Sequence, residues 1–228
     1  MTEAALPARV LPSKKVNQGV HTAKTRATEL YPTPPELTAA LLRAVTLPPV
    51  LWEPAAGLCH MSNALRGAGH TVHCSDAFDY GERYPIIDFL KTIGLPNPSV
   101  GAVITNPPFS LSADFVRHGL RLCPEVYILN RLAFLEGAAR RDILDGPLAE
   151  VYPFVERPPM MHRHTYDPAT ERWVEWQGNK ASSAMPVAWF VFRRGHDARR
   201  MGTQMKRLSW RTPKPSKTSE PVALPPAL

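Results

Sequence analysis

Three cysteines in 228 residues, Cys59, Cys74 and Cys123, are few, odd in number and far apart, and no CxxC occurs. That argues against a disulfide framework or a structural zinc site; the expectation is three buried apolar thiols and no metal. Long apolar runs are also missing. None approaches the ~20 residues that span a bilayer, and MTEAALPARVLPSKK lacks the continuous apolar core of a secretory signal. A cytoplasmic protein without a membrane segment is expected. Acidic residues are scarce at both ends. Residues 1–28 and 193–228 hold 14 of the 27 Lys/Arg but 3 of the 20 Asp/Glu, whereas residues 29–192 carry a net −4. Basic ends on a mildly acidic body point to a polyanionic partner, nucleic acid first. The Pro-rich RTPKPSKTSEPVALPPAL reads as a flexible tail.

What is present is a core for one α/β domain, with 44% hydrophobic residues. Residues 1–28 read as a basic arm. In YPTPPELTAALL, Thr33 caps a helix with Pro34 in its first turn and Glu36 three residues after the cap. Short strands follow at 49–54, 70–76, 99–106 and 125–130; a small-residue turn feeds a helix that ends at Gly67 or Gly69, and 112–123 is helical by period. LEGAARRDILDG reads as a further helix, and 149–156 and 186–194 as two late strands. This alternation predicts a doubly wound, mostly parallel sheet with an antiparallel edge hairpin. The domain spans 29–194, with a polar and aromatic insertion at 157–185 and a basic tail at 195–228. In such sheets ligands bind beyond the carboxyl ends of the strands. Three unusual stretches fall there: EPAAG, SDAFD and NPPF.

Pro54-Ala55-Ala56-Gly57 has almost no side-chain bulk, so a ligand can lie against its backbone. It is neither GxGxxG nor a P-loop. Glu53 stands where a carboxylate could meet a cationic ammonium; the alternative is a tight turn packed on its neighbour. Asp76 ends the next strand about 20 residues on, where nucleoside-binding α/β folds hold a ribose diol; the alternative is a cap. Asp88 could accept from an adenine amine, with Phe89 covering the ring. Asn106-Pro107-Pro108-Phe109 closes the strand VIT with two residues that cannot continue it. An exocyclic aryl amine is a poor nucleophile because its lone pair is delocalised. The Asn106 side-chain oxygen and the Pro107 carbonyl could accept both amine hydrogens and draw the nitrogen towards sp³. Phe109 offers a face for a flipped base. A proline-rich loop with an aromatic plug is the alternative.

These residues carry a resemblance. NPPF is similar to the signature of class I, S-adenosylmethionine-dependent amino-group methyltransferases. YPTPPELTAALL, EPAAGLCHM, SDAF and TNPPF together resemble the adenine-N6 DNA methyltransferases. LNRLAFLEGAARRDIL and WFVFRR resemble the small solitary adenine methylases of phages and prophages. The likeness covers roughly residues 29–194. It implies a seven-stranded, Rossmann-like class I fold. It puts Tyr31 and Thr33-Pro34-Pro35 near the methionine end of S-adenosylmethionine, and Glu53, Pro54, Ala55 and Gly57 around that cofactor. Asp76, with Ala77 beside it, would hold the ribose, and Asp88 with Phe89 the adenine. The NPPF residues would act on the target amine of duplex DNA. The chain departs from the family in two ways. Cys59 stands where a second glycine is usual, and there is no large target-recognition domain. Residues 157–185 are the remaining candidate for recognition, through His162, Arg163, His164, Arg172, Trp173 and Trp176; Arg199, Arg200, Lys206 and Arg207 of the tail are candidate phosphate contacts. Three other classes share features with this reading: an RNA adenine or guanine amino methylase, a protein glutamine methyltransferase, and a nucleic-acid-binding module without chemistry.

Overall fold

Val50–Glu53 (β1), Thr71–Cys74 (β2), Ala102–Thr105 (β3) and Glu125–Arg131 (β4) pair in parallel in the order β2-β1-β3-β4. They belong to a computed structural model that describes residues 30, 32–158, 164–167, 172–175 and 185–211. All four residues of β3 are buried, as a parallel strand covered on both faces demands. Its β-branched Val103, Ile104 and Thr105 suit that position. Beyond β4 the sheet changes character. Leu148–Pro153 (β5) and Val187–Arg193 (β8) are antiparallel to one another, and β8 inserts antiparallel between β4 and β5. The expected edge hairpin is this pair. Between them, His164–Asp167 (β6) and Arg172–Glu175 (β7) form a separate two-stranded antiparallel ribbon.

Helices Pro35–Leu42 (α1) and His60–Gly67 (α2) cover one face and Ser112–Leu122 (α3) the other. The alternation of β4 divides the two cores. Tyr127 and Leu129 join Leu37, Leu41, Met61 and Leu65 on the first face. Val126 and Ile128 join Phe115 and Val116 on the second. Trp189 of β8 anchors α1 from below, its Nε1 donating to the Leu37 carbonyl at 3.0 Å.

Three details differ from the sequence reading. Thr33 does not cap α1. Pro34 is the N-cap and Pro35 the first helical residue, because a residue preceding proline is driven out of the α region; Pro34 accordingly has ψ 129°. The helix expected in LEGAARRDILDG shrinks to one turn, Arg141–Leu144 (α4), after a 3-10 turn at Ala138–Arg140. Ile86 makes an isolated parallel bridge to Asp76 at the sheet edge. Residues 195–211 are not a free tail. After the short Ala198–Met201 helix (α5), Gln204–Met205 (β9) pairs with β5, and Leu208 bridges to Phe154. Among the described residues no helix is long and apolar enough to cross a membrane.

α3 lies so close to β4 that a Cβ on Gly119 would stand 2.7 Å from Val126 Cγ2. Gly119→Ala is therefore expected to lower stability by ~1 kcal/mol or more through overpacking, despite the ~1 kcal/mol that helix propensity favours alanine over glycine. A urea titration that shows the variant as more stable than the parent would mean that the α3–β4 contact yields.

Candidate active site at the strand ends

The carboxyl ends of β2, β1, β3 and β4 lie side by side, so Asp76, Gly57, Asn106 and Arg131 form a row in that order. Neighbouring strands are about 4.8 Å apart, so the row from Asp76 to Asn106 spans about 10 Å.

The turn after β1 is tied to its neighbour. Ala56 N donates to Ser75 O at 3.1 Å, and Gly57 N donates to Asp76 Oδ2 at 2.9 Å. The other Asp76 oxygen accepts from Phe78 N at 3.0 Å. Asp76 is 7% exposed, and burial raises its pKa against the opposing backbone hydrogen bonds. Gly57 has φ +50°, and a Cβ there would meet Leu30 Cδ1 at 2.7 Å. Tyr84, from the far side of the Asp76 loop, donates its hydroxyl to the Gly57 carbonyl at 2.7 Å. Burial first and the Asp76 charge second keep that phenol un-ionised. Sequence reasoning missed Tyr84; its place opposite Gly57 depends on a loop whose course no pattern specifies.

Glu53 does not face outward to an ammonium. It is 2% exposed and accepts a hydrogen bond from the Ser62 hydroxyl of α2. Burial lifts its pKa well above the carboxylate range, with the Ser62 bond opposing. It braces the turn from within.

The Asn106–Phe109 loop is equally constrained. Asn106 Nδ2 donates to Thr33 Oγ1 at 3.1 Å, so the amide is oriented by a residue from the start of the described chain. This is what Thr33 does in place of capping. The Pro108 carbonyl accepts from Leu111 N at 2.9 Å and Ser112 Oγ at 3.2 Å, which closes the turn into α3. The Pro107 carbonyl has no such partner among the described residues. The Arg131 guanidinium lies over the Phe109 ring, 4.9 Å from its centroid. One ring face is thus occupied by a cation, a feature the sequence did not reveal. Beneath the loop, Asn130 is 1% exposed; its Oδ1 accepts from Arg131 N at 2.7 Å, and its buried Nδ2 has no partner among the described residues.

Other expected residues divide. Pro54 is buried, Ala55 half-buried and Ala77 exposed, all along the row. Asp88 stands at the exposed edge, where it starts a 3-10 turn by accepting from Leu90 N at 3.1 Å and pairs with Lys91 at 2.9 Å. Phe89 is a correction: it is 1% exposed, with its ring 5.1 Å from Trp52 and 4.8 Å from Phe115. The turn begun by Asp88 rotates it into the core. Tyr31, Arg163 and Trp176 lie outside the described residues, and Arg172 and Trp173 are on β7. Arg199 and Arg200 belong to α5, which hydrogen-bonds near Gly146 at the entry to β5, the opposite end of the sheet from Asn106. Lys206 and Arg207 instead join Arg43 and Arg211 around a groove of about 210 Å³ at the β9 edge.

No family model matches the chain, and no curated protein matches it. Among solved structures it is similar to a dimethyladenosine transferase from Plasmodium falciparum, at 12% identity over 72% of this chain and 63% of that one, with TM-score 0.45. It is also similar to the 23S rRNA methyltransferase ErmE, at 14% identity over 78% and 70% of the two chains, with TM-score 0.42. A third is magnesium protoporphyrin IX methyltransferase from Synechocystis PCC 6803, solved with bound SAM, at 12% identity over 75% and 79%, with TM-score 0.41. These likenesses are distant in sequence and partial in superposition. The sheet order of this chain, with β8 reversed between β4 and β5, is itself the Rossmann-like class I methyltransferase arrangement.

Two predictions follow from the buried polar contacts. Thr33→Val keeps the shape but removes the acceptor for Asn106 Nδ2; turnover is expected to fall by about 10-fold or more, while the melting temperature moves little, since one neutral hydrogen bond is worth ~1 kcal/mol. Unchanged turnover would show that the bond does not position the amide. For Glu53 the folded pKa lies above the unfolded one, so the stability of its neutral form is full below the carboxylate range and lost as pH rises through the raised value. Unfolding free energy should therefore fall with rising pH, by at most about 1.4 kcal/mol per pH unit for this proton, and Glu53→Gln should flatten that slope. Parallel slopes for parent and variant would mean that Glu53 is ionised at no cost.

Proposed function

We propose that the protein transfers a methyl group from S-adenosylmethionine to the exocyclic N6 amine of adenine in DNA, acting on a base turned out of its stack. The observation that carries this reading is the Asn106 amide, oriented by Thr33 beside the open Pro107 carbonyl, one strand away from the Gly57–Asp76 clasp.

The residues fit the cofactor. A carboxylate has about four acceptor positions, and the two described bonds to Asp76 leave room for a ribose diol. The bare turn Pro54–Gly57 admits close approach of a ligand, with Leu30 and Tyr84 as the groups that yield. Asp88 at the exposed edge meets the adenine amine. S-adenosylmethionine supplies an electrophilic methyl group on a sulfonium sulfur.

The remaining work belongs to the chain. Asn106 Oδ1 and the Pro107 carbonyl accept the two hydrogens of the target amine and pull its nitrogen towards sp³, which aims the lone pair along the row. Consecutive prolines hold both acceptors still, so the reaction pays no reorganisation. The Phe109 ring offers an aromatic surface for the base. After transfer the nitrogen gives up a proton to solvent. Arg43, Lys206, Arg207 and Arg211 offer phosphate contacts at the β9 edge.

The test uses isotope-labelled S-adenosylmethionine with duplex DNA, structured RNA and protein as acceptors. Label is expected in DNA adenine, and Asn106→Ala should lose ~10²-fold or more in kcat, the usual cost of removing one preorganised polar group, with cofactor affinity retained. Label in RNA or in protein glutamine would reassign the substrate. Near-parental turnover of the variant would remove Asn106 from the mechanism.

A further inference from the structure

Arg131 is the last residue of β4 and ends the row of strand termini. Asn106 stands between it and the Gly57–Asp76 clasp of β1 and β2. In an in-line transfer the amine attacks from the side opposite the sulfonium sulfur. A target amine at Asn106 therefore carries the rest of its molecule away from the clasp, towards β4. Arg131 is one strand beyond Asn106, about 5 Å across the sheet, and two strands from β1, about 10 Å. Its backbone is fixed on both sides. Asn130 Oδ1 accepts from Arg131 N at 2.7 Å, and Leu132 N donates to the Pro186 carbonyl at 2.9 Å. The side chain is exposed, with its guanidinium over the Phe109 ring.

The contrast with other arginines is in their N–H groups. Arg117 donates to Asp142, Arg193 to Glu125 and Glu150, and Arg194 to carbonyls at the end of α3. The Arg131 guanidinium has no carboxylate or carbonyl partner among the described residues. An aromatic ring attracts the cation as a whole and holds it in place. It does so without the carbonyl or carboxylate bonds that would use up the planar fork of donors, and that fork matches two oxygens of a phosphate. An exposed cation on a pinned strand end, aligned by a ring of the Asn106–Phe109 loop, is a site for an oxyanion on the target side of the row.

We propose that Arg131 binds a backbone phosphodiester that flanks the target nucleotide, so that the strand-end site takes a polynucleotide and not a free base or an amide side chain. The inference rests on the function proposed above, which supplies the reacting amine, and adds the group that anchors it. With the phosphate held at β4 and the amine held at β3, the nucleotide is fixed at two points before transfer, which is how positioning lowers a barrier. A lysine would carry the charge but not the fork, so the contact depends on shape as well as on charge.

Methyl transfer and binding are measured for the full chain, Arg131→Ala and Arg131→Lys. The substrates are duplex DNA and the same duplex with one uncharged methylphosphonate on either side of the target nucleotide. Arg131→Ala is expected to raise KM for DNA about 10-fold, the worth of a hydrogen bond to a charged group, with kcat little changed. The slope of log K against log salt should become shallower by about 0.9. S-adenosylmethionine affinity and melting temperature should stay at the parental values, and Arg131→Lys should recover only part of KM. One of the two methylphosphonates should weaken the parent about 10-fold and Arg131→Ala little, because in the variant that contact is already gone. An unchanged KM, or equal losses in parent and variant at both positions, overturns the contact. Weakened S-adenosylmethionine binding with an unchanged salt slope assigns Arg131 to the cofactor carboxylate and also overturns it. Transfer to DNA with no effect of Arg131→Ala removes the contact and leaves the proposed function standing. Transfer to RNA, with KM for RNA raised in Arg131→Ala, removes the DNA reading and leaves the contact standing. Transfer to protein glutamine overturns both.

Discussion

The Asp76 carboxylate is shared between two loops, and the strand-end site depends on that sharing. One oxygen takes the amide of Gly57 from the loop after β1, and the other takes Phe78 from its own. An isolated buried charge is among the most costly things a fold can contain; here backbone dipoles offset the cost and in doing so set the gap between two strands. Remove the carboxylate and Gly57 loses the partner that keeps its left-handed turn in register with β2. The bridge from Asp76 to Ile86 continues the tie outward to the sheet edge. The β2 and β1 end of the row is thus tied by hydrogen bonds from loop to loop.

Much of this was legible in the sequence because it is written in residues with narrow conformational choices. Two prolines after Val103-Ile104-Thr105 can only end a strand, and a small-residue run after LWE can only be a turn, so the site's location followed. What was not legible depends on long-range partners. Thr33 reads as a cap locally, yet Pro35 delays the helix and frees the hydroxyl for Asn106. Phe89 reads as a ring beside a ligand-facing acid, yet the 3-10 turn points it inward. Arg131 lies just past the strand read at 125–130, and only tertiary structure lays it over Phe109.

Charge was the least informative guide. The sequence reading counts residues 193–228 as one basic end, but the fold distributes those of 193–211 by role. Arg193 pairs with Glu125, and Arg194 donates to the last carbonyls of α3. Arg199 and Arg200 go to the end of the sheet opposite Asn106. Lys206, Arg207 and Arg211 gather with Arg43 on the edge. Net charge counts all of them equally, although an arginine satisfied by carbonyls has little left for a phosphate.

The partners of α1 set an order of assembly. Thr33 bonds to a residue 73 positions away, Leu37 to one 152 away and Arg43 to one 166 away, at Ser209. A helix near one end of the chain is held by residues near the other, and loops that long close late because their entropy must be met before the contacts reward it. During synthesis, β1 to β4 can pair while α1 still lacks Trp189 beneath it and Ser209 beside it. The Thr33 hydroxyl therefore reaches its final place beside Asn106 only when nearly the whole chain has emerged, so an unfinished chain carries the Asn106–Phe109 loop without the contact that orients it.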